Sequence, residues 1–298
     1  MVRLSTIQEW EKKMKKKIAL VFSFALACVL AFVLAGCGSG SSSTTYKIAV
    51  PSDTTNEARA LLLLEDQGLI KLREGAGLTA TKNDIVENPY NIEIIEVEAA
   101  SLPRTLPDVD FAVINGNYAL SSGIDPSTAI VGEDPEGDAA VEYANLVAFR
   151  AEDTGSEKAR VLIDVLQSDE VQKYITETYS GAVIPVNIPA MIVGDGVVIE
   201  EKVIKVGASP APHAEILEFA KPLIQAKGYK LEITEFTDYV QPNVALSDGL
   251  IDANFFQHFP YLEDYNAENK TTLASVGKVH FEPLCIYPGK LSSLSDIK

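Results

Sequence analysis

Cysteine is scarce in this chain, with three in 298 residues. Cys28 lies inside an apolar run near the start and Cys37 just beyond it, which leaves Cys285 alone in the body. No disulfide framework can form there, and a thiol in an apolar stretch reads as a buried structural residue. Histidine is as sparse. His213, His258 and His280 lie far apart, and neither His-Glu-x-x-His nor Cys-x-x-Cys occurs, so a metal centre is not expected. Gly-x-Ser-x-Gly and the Walker loop are missing too, which argues against an enzyme and against a phosphate-bearing cofactor. Positive charge is the third deficit: the formal net charge is −17. An acidic chain of this kind is a poor partner for nucleic acid.

What is present begins with processing. Lys12, Lys13, Lys15, Lys16 and Lys17 precede an apolar run from Ile18 to Leu34 and then Leu34-Ala35-Gly36-Cys37. This is the layout of a secretory signal, and the run is shorter than the roughly 20 residues a membrane span needs. The last four residues resemble the bacterial lipobox, which implies removal of residues 1–36 and acylation of Cys37. Met14 is an alternative start. Cleavage leaves nineteen basic against forty acidic residues, a net charge of −21. Residues 38–45 have the Gly/Ser/Thr composition of a flexible tether. The expected location is the extracytoplasmic face of a bacterial membrane, held to the lipid bilayer through Cys37.

The body alternates strand-like and helix-like stretches. Tyr46 to Val50 reads as a strand, and Thr54 with Glu57 forms a capping-box signature before Ala58 to Leu64. Ile92 to Val97, Val109 to Ile114 and Tyr143 to Phe149 read as strands, and a single helix is expected from Ser156 to Thr178. Residues 188–203 hold the turn signal Gly194-Asp195-Gly196 and read as a junction or hairpin. The pattern restarts at Val203 to Val206, with a helix from Ala214 to Lys227, a strand from Leu231 to Phe236, a helix from Gln241 to Ser247 and a strand from Ile251 to Phe255. Such alternation predicts an α/β protein with a mostly parallel sheet in each lobe. Ligands of such sheets bind outside the carboxyl ends of the strands.

Several runs are similar to the methionine-binding lipoprotein (MetQ/NlpA) family. They are Ala49 to Arg59, Glu87-Asn88-Pro89, Leu102-Pro103-Arg104, Val113 to Ala119, Tyr239 to Asn243 and Ile251 to Tyr261. The resemblance covers 46–187 and 204–298 and implies a two-lobed periplasmic-binding-protein-like fold with its ligand cleft between lobes. The order is reversed, because family members carry the 204–298 segment first and the 46–187 segment second. The chain is therefore expected to be circularly permuted, with 188–203 bridging the family's old termini; a gene-assembly artefact is the alternative. About sixteen residues at roughly 3.3 Å each are ample for that bridge.

The resemblance implies a monomeric solute-binding protein that delivers L-methionine to the membrane subunits of an ABC importer. A methionine-containing dipeptide, another apolar amino acid, or a surface lipoprotein without a transport role are alternatives. A helix N-terminus at Thr54 can hold an anion, and Arg59 matches the family's carboxylate-binding arginine, against the simpler reading of a pair with Glu57, Asp53 or Asp84. Tyr239, Phe256, His258 and Tyr261 match positions lining the side-chain pocket, where a polarisable thioether packs well against aromatic rings. Phe255 and Phe256 must face opposite ways, so one of them is core, and His258 reads equally well as a helix-capping or loop-fixing residue. Asn115, which ends an apolar strand, and Asn145 match ligand-contacting asparagines. His213 and His280 read as structural.

Overall fold

In β1 (Tyr46–Pro51), Ile48 and Val50 face one apolar cluster while Ala49 faces another, the mark of a strand covered on both sides. The computed structural model describes residues 44–189 and 202–298. From β1 the chain runs through α1 (Thr54–Asp66), a ribbon of β2 (Lys71–Leu72) and β3 (Ile85–Glu87), β4 (Ile92–Val97), α2 (Leu102–Thr105), β5 (Phe111–Ile114), α3 (Gly116–Ser121) and β6 (Val131–Gly132). Helix α4 (Asp138–Glu142) leads to a second sheet through β7 (Asn145–Arg150), α5 (Glu157–Leu166), α6 (Asp169–Tyr179), β8 (Ile184–Pro189) and β9 (Val203–Ala208). There follow α7 (Glu215–Ala226), β10 (Lys230–Glu235), α8 (Gln241–Ser247), β11 (Ala253–His258), α9 (Phe259–Asn269) and β12 (Leu273–Phe281). The chain then returns to the first sheet as β13 (Cys285–Pro288).

The result is two lobes, each a sheet between apolar layers. Strand order is β4-β1-β5-β13-β6 in one and β10-β9-β11-β7-β12-β8 in the other. In β7, Val147 and Phe149 join one cluster and Leu146 and Ala148 another, as the two-residue period of a strand requires. Each sheet is mixed: four of five strands in the first and four of six in the second run the same way. β1 pairs parallel with β4 and β5, and β9 with β10 and β11, but β13 and β7 run antiparallel to their neighbours. Both of those strands enter from the other lobe. They start at the cleft and run away from it, opposite to β5 and β11, which end there.

Other local differences have identifiable causes. The residue capping α1 is Asp53, whose carboxylate accepts from the Asn56 backbone N–H, while Glu57 accepts from Lys82 N; the Thr54/Glu57 box does not form. The expected helix from 156 to 178 is two, because Ser168 caps a new start at α6. Strands β12 and β13 and helix α9 extend the pattern beyond Phe255. The leader, Cys37 and most of the tether lie outside the described residues, as do residues 190–201 of the junction. No helix among the described residues is long and apolar enough to cross a membrane.

Candidate functional site

The seven residues singled out by resemblance lie in two sequence segments, and the fold brings all of them to one cleft. Arg59, Asn115, Asn145, Tyr239, Phe256, His258 and Tyr261 line it together with Asn56, Gly116, Asn117, Gln257 and Glu282. The empty space among these side chains is about 340 Å³, open solvent included. Asn115 follows the last residue of β5 and His258 is the last of β11. The cleft thus lies at the carboxyl ends of the parallel strands of both sheets.

Arg59 is buried, and its partner is none of the three acids expected. Its Nε donates to Glu133 Oε1 at 2.7 Å, and its Nη2 to Glu133 Oε2 and to the Glu282 carbonyl at 2.9 Å. The guanidinium carbon also stands 4.4 Å from the Tyr143 ring centre, a cation–π contact. Burial alone would lower the Arg59 pKa, but Glu133 more than offsets it and the charge is kept. Nη1 makes no hydrogen bond among the described residues, and Arg59 is one of the residues lining the cleft. The expectation that the α1 N-terminus holds the ligand's anion is corrected: the Asp53 carboxylate already occupies it.

A polar ladder crosses the cleft. Asn115 Nδ2 donates to Asn56 Oδ1 at 3.0 Å, and His258 Nε2 reaches the same oxygen at 3.2 Å. His258 Nδ1 accepts from Tyr261 N at 3.2 Å, capping α9. An accepting Nδ1 puts the proton on Nε2, so this imidazole is neutral, and burial holds its pKa well below the usual imidazole range. His258 therefore lines the cleft with both nitrogens engaged, joining helix α1 of one lobe to α9 of the other. Asn115 Oδ1, by contrast, is buried without a partner, an acceptor in need of a donor.

Three rings form a cage. Tyr239 to Phe256 is 5.9 Å between centroids, Tyr239 to Tyr261 is 5.7 Å and Phe256 to Tyr261 is 5.9 Å, within the range of favourable tilted and edge contacts. Their hydroxyls are used elsewhere: Tyr239 donates to Asn117 Oδ1 at 2.6 Å and Tyr261 to the Tyr239 carbonyl at 3.1 Å. What the cage offers a ligand is ring face and edge. Of the adjacent pair, Phe255 is the core residue and Phe256 is the one that lines the cleft.

Glu282 escaped the sequence reading, although an acid between Phe281 and Pro283-Leu284 was a visible signal. Its Oε1 lies 2.7 Å from His280 Nε2 and 3.4 Å from His213 Nε2. These three residues offer buried ligand atoms within 4.8 Å of one another, but they fit a metal poorly. Both imidazole Nδ1 atoms are buried without a partner, whereas a metal-bound imidazole usually donates its second N–H to an acceptor. Cys285, expected to be buried, is half-buried, its thiol pushed up to about 11 by desolvation.

Gly116 makes room for that carboxylate. A Cβ there would stand 2.9 Å from both Glu282 Cβ and Oε2. Gly116→Ala is expected to displace Glu282 and weaken ligand binding at least tenfold, with a loss of about 1–3 kcal/mol of stability from overpacking. Titration calorimetry beside urea unfolding checks this, and unchanged affinity would remove Glu282 from the site.

A family profile described as NlpA lipoprotein matches residues 43–187 and 204–298. Outer membrane lipoprotein 3 of Mannheimia haemolytica is 47% identical over 138 residues, 46% of this chain and 51% of that protein. The D-methionine-binding lipoprotein MetQ of Escherichia coli strain K12 is 41% identical over 141 residues, again 46% of this chain and 51% of the relative. The chain spans about half the length of the curated relatives it matches. Among solved structures, a putative lipoprotein from Ruminococcus gnavus aligns with a TM-score of 0.48 and 50% identity, over 50% of this chain and 61% of that one. A nutrient binding protein from Burkholderia cenocepacia bound to methionine aligns with a TM-score of 0.38 and 38% identity, over 46% and 56%. With the family profile covering both lobes, the chain belongs to the NlpA lipoprotein family.

Proposed function

We propose that this protein is the extracytoplasmic solute-binding lipoprotein of an ABC importer, anchored to the membrane through Cys37, and that it binds methionine between its lobes. The observation that carries the reading is the partition of the cleft into three chemistries. The unengaged Nη1 of Arg59 suits a carboxylate, the orphaned Asn115 Oδ1 and the Glu282 carboxylate suit an ammonium, and the cage of Tyr239, Phe256 and Tyr261 suits a thioether. A free amino acid needs all three. Binding at a cleft between lobes gives an importer a hinge closure to read.

The same reading includes a permuted chain order. In its support, Lys298 N donates to the Tyr46 hydroxyl at 3.1 Å, so the end of the chain lies beside the start of β1. The close of β8 and the opening of β9 lie at the same end of their sheet, away from the cleft, because those strands run in opposite directions. At roughly 3.3 Å per residue the twelve residues 190–201 reach about 40 Å, against about 19 Å across four strand spacings.

Calorimetric titration of L-methionine into the chain from Gly38 onward, refolded to strip carried-over ligand, tests both points. Saturable one-to-one binding is expected. A folded protein that ignores methionine would overturn the ligand assignment, and a chain that will not refold would count against the permuted order.

A further inference from the structure

Two histidines lie behind the cleft without lining it. His213 and His280 are fully buried, with ring centroids 4.8 Å apart and the Phe255 ring against both. His213 Nε2 is 3.0 Å from Asn145 Oδ1 and 3.4 Å from Glu282 Oε1, and His280 Nε2 is 2.7 Å from Glu282 Oε1. A carboxylate oxygen only accepts, so both Nε2 atoms carry the proton. The two Nδ1 atoms are then bare acceptors without partners, which costs less than a buried N–H left unpaired. Burial and the neighbouring His280 keep the His213 pKa well below its ordinary value.

This tautomer fixes what the cleft presents. With Nε2–H of His213 as donor, the atom of Asn145 facing it must be the oxygen, and the Asn145 amino group is turned the other way. With His280 holding Oε1 of Glu282, the second oxygen of that carboxylate is left, and it borders Gly116 on the cleft. We propose that His213 and His280 are positioning residues that set the hydrogen-bond polarity of the cleft, presenting Asn145 as a donor toward a carboxylate and Glu282 as an acceptor toward an ammonium. The proposal rests on the amino-acid-binding reading for its ligand, and its first test does not.

That test is 15N NMR of the imidazole side chains in the ligand-free wild-type protein at pH 7. Both rings are expected as neutral Nε2–H tautomers, unmoved by added zinc chloride. An Nδ1–H tautomer, an imidazolium, or a zinc-induced shift at either ring would overturn the proposal. The second test is a double-mutant cycle read by methionine titration. His213→Leu is expected to weaken binding at least tenfold and to add nothing once Asn145 is Ala. His213→Gln, whose amide can donate to Asn145 Oδ1, is expected to restore part of the loss. Additive losses in the cycle would mean that His213 acts only on the fold. Should His213→Leu fail to fold, the tautomer measurement still decides. Should the wild type ignore methionine, the ligand assignment fails while the tautomers test the positioning role independently.

Discussion

Arg59→Ala is expected to remove measurable amino-acid binding and to lower folding stability by about 3–5 kcal/mol, the usual consequence of breaking one half of a buried ion pair. The size follows from where the partner sits. The Glu133 side chain is 9% exposed, and without Arg59 the hydrogen bond left to its carboxylate among the described residues is from the Leu284 N–H at 2.8 Å. Among the described residues the chain passes between the lobes twice, at 133–144 and at 282–284. Arg59 holds the first residue of both passages, through the Glu133 carboxylate and the Glu282 carbonyl. Its loss therefore frees the two connections about which lobes of this kind close.

A second variant separates fold from site. In Arg59→Met with Glu133→Gln the buried charges are gone together and the glutamine oxygen can still accept from Leu284. Replacing both members of a buried pair is often close to neutral. Urea unfolding should then recover most of the lost stability, while titration still shows no binding. Wild-type affinity in Arg59→Ala would sink the carboxylate role. A double variant as unstable as the single one would mean that the ion pair is not the source of the loss.

How far this arrangement could be read in the sequence depends on the range of the interactions. Local patterns were legible: the strands at Tyr46 to Val50 and Tyr143 to Phe149, and Asn115 at the end of an apolar strand. Alternation also required one of Phe255 and Phe256 to be core, but which one depends on the sheet face, and only packing decides that. Strand direction was not legible, since β7 and β13 are antiparallel because of which lobe the chain has just left. Glu133 lies 74 residues from Arg59, and nothing near either residue announces the pair. The capping box failed at Thr54 because Asp53, one residue earlier, takes the Asn56 N–H and Glu57 is turned to Lys82 N. His213 and His280 read as structural because their partners, Asn145 and Glu282, come together only in the fold.

Stability is expected to fall as the pH is lowered from 7.5 to 5.5, with a slope that the buried histidines dominate. His213 and His258 are both fully enclosed and held neutral, with folded pKa values well below the ordinary 6.5. A depressed folded pKa means that below about 6.5 the unfolded chain binds protons that the folded one refuses. Stability is therefore fully present above that value and is lost as the pH falls toward the folded values. Each histidine contributes a slope approaching about 1.4 kcal/mol per pH unit, and the two together about 2.7. Asp53 and Glu57 act in the opposite sense, because burial raises their folded pKa values. Protonating them relieves that penalty, so they return stability only where the pH nears the carboxylate range. Urea midpoints at half-unit intervals measure the profile. In His258→Asn the side-chain oxygen can still cap α9 by accepting from Tyr261 N, so the fold should hold while the slope falls by about half. A flat profile in the wild type, or an unchanged slope in the variant, would mean that these imidazoles titrate normally in the folded protein and that the neutral, doubly engaged His258 is wrong.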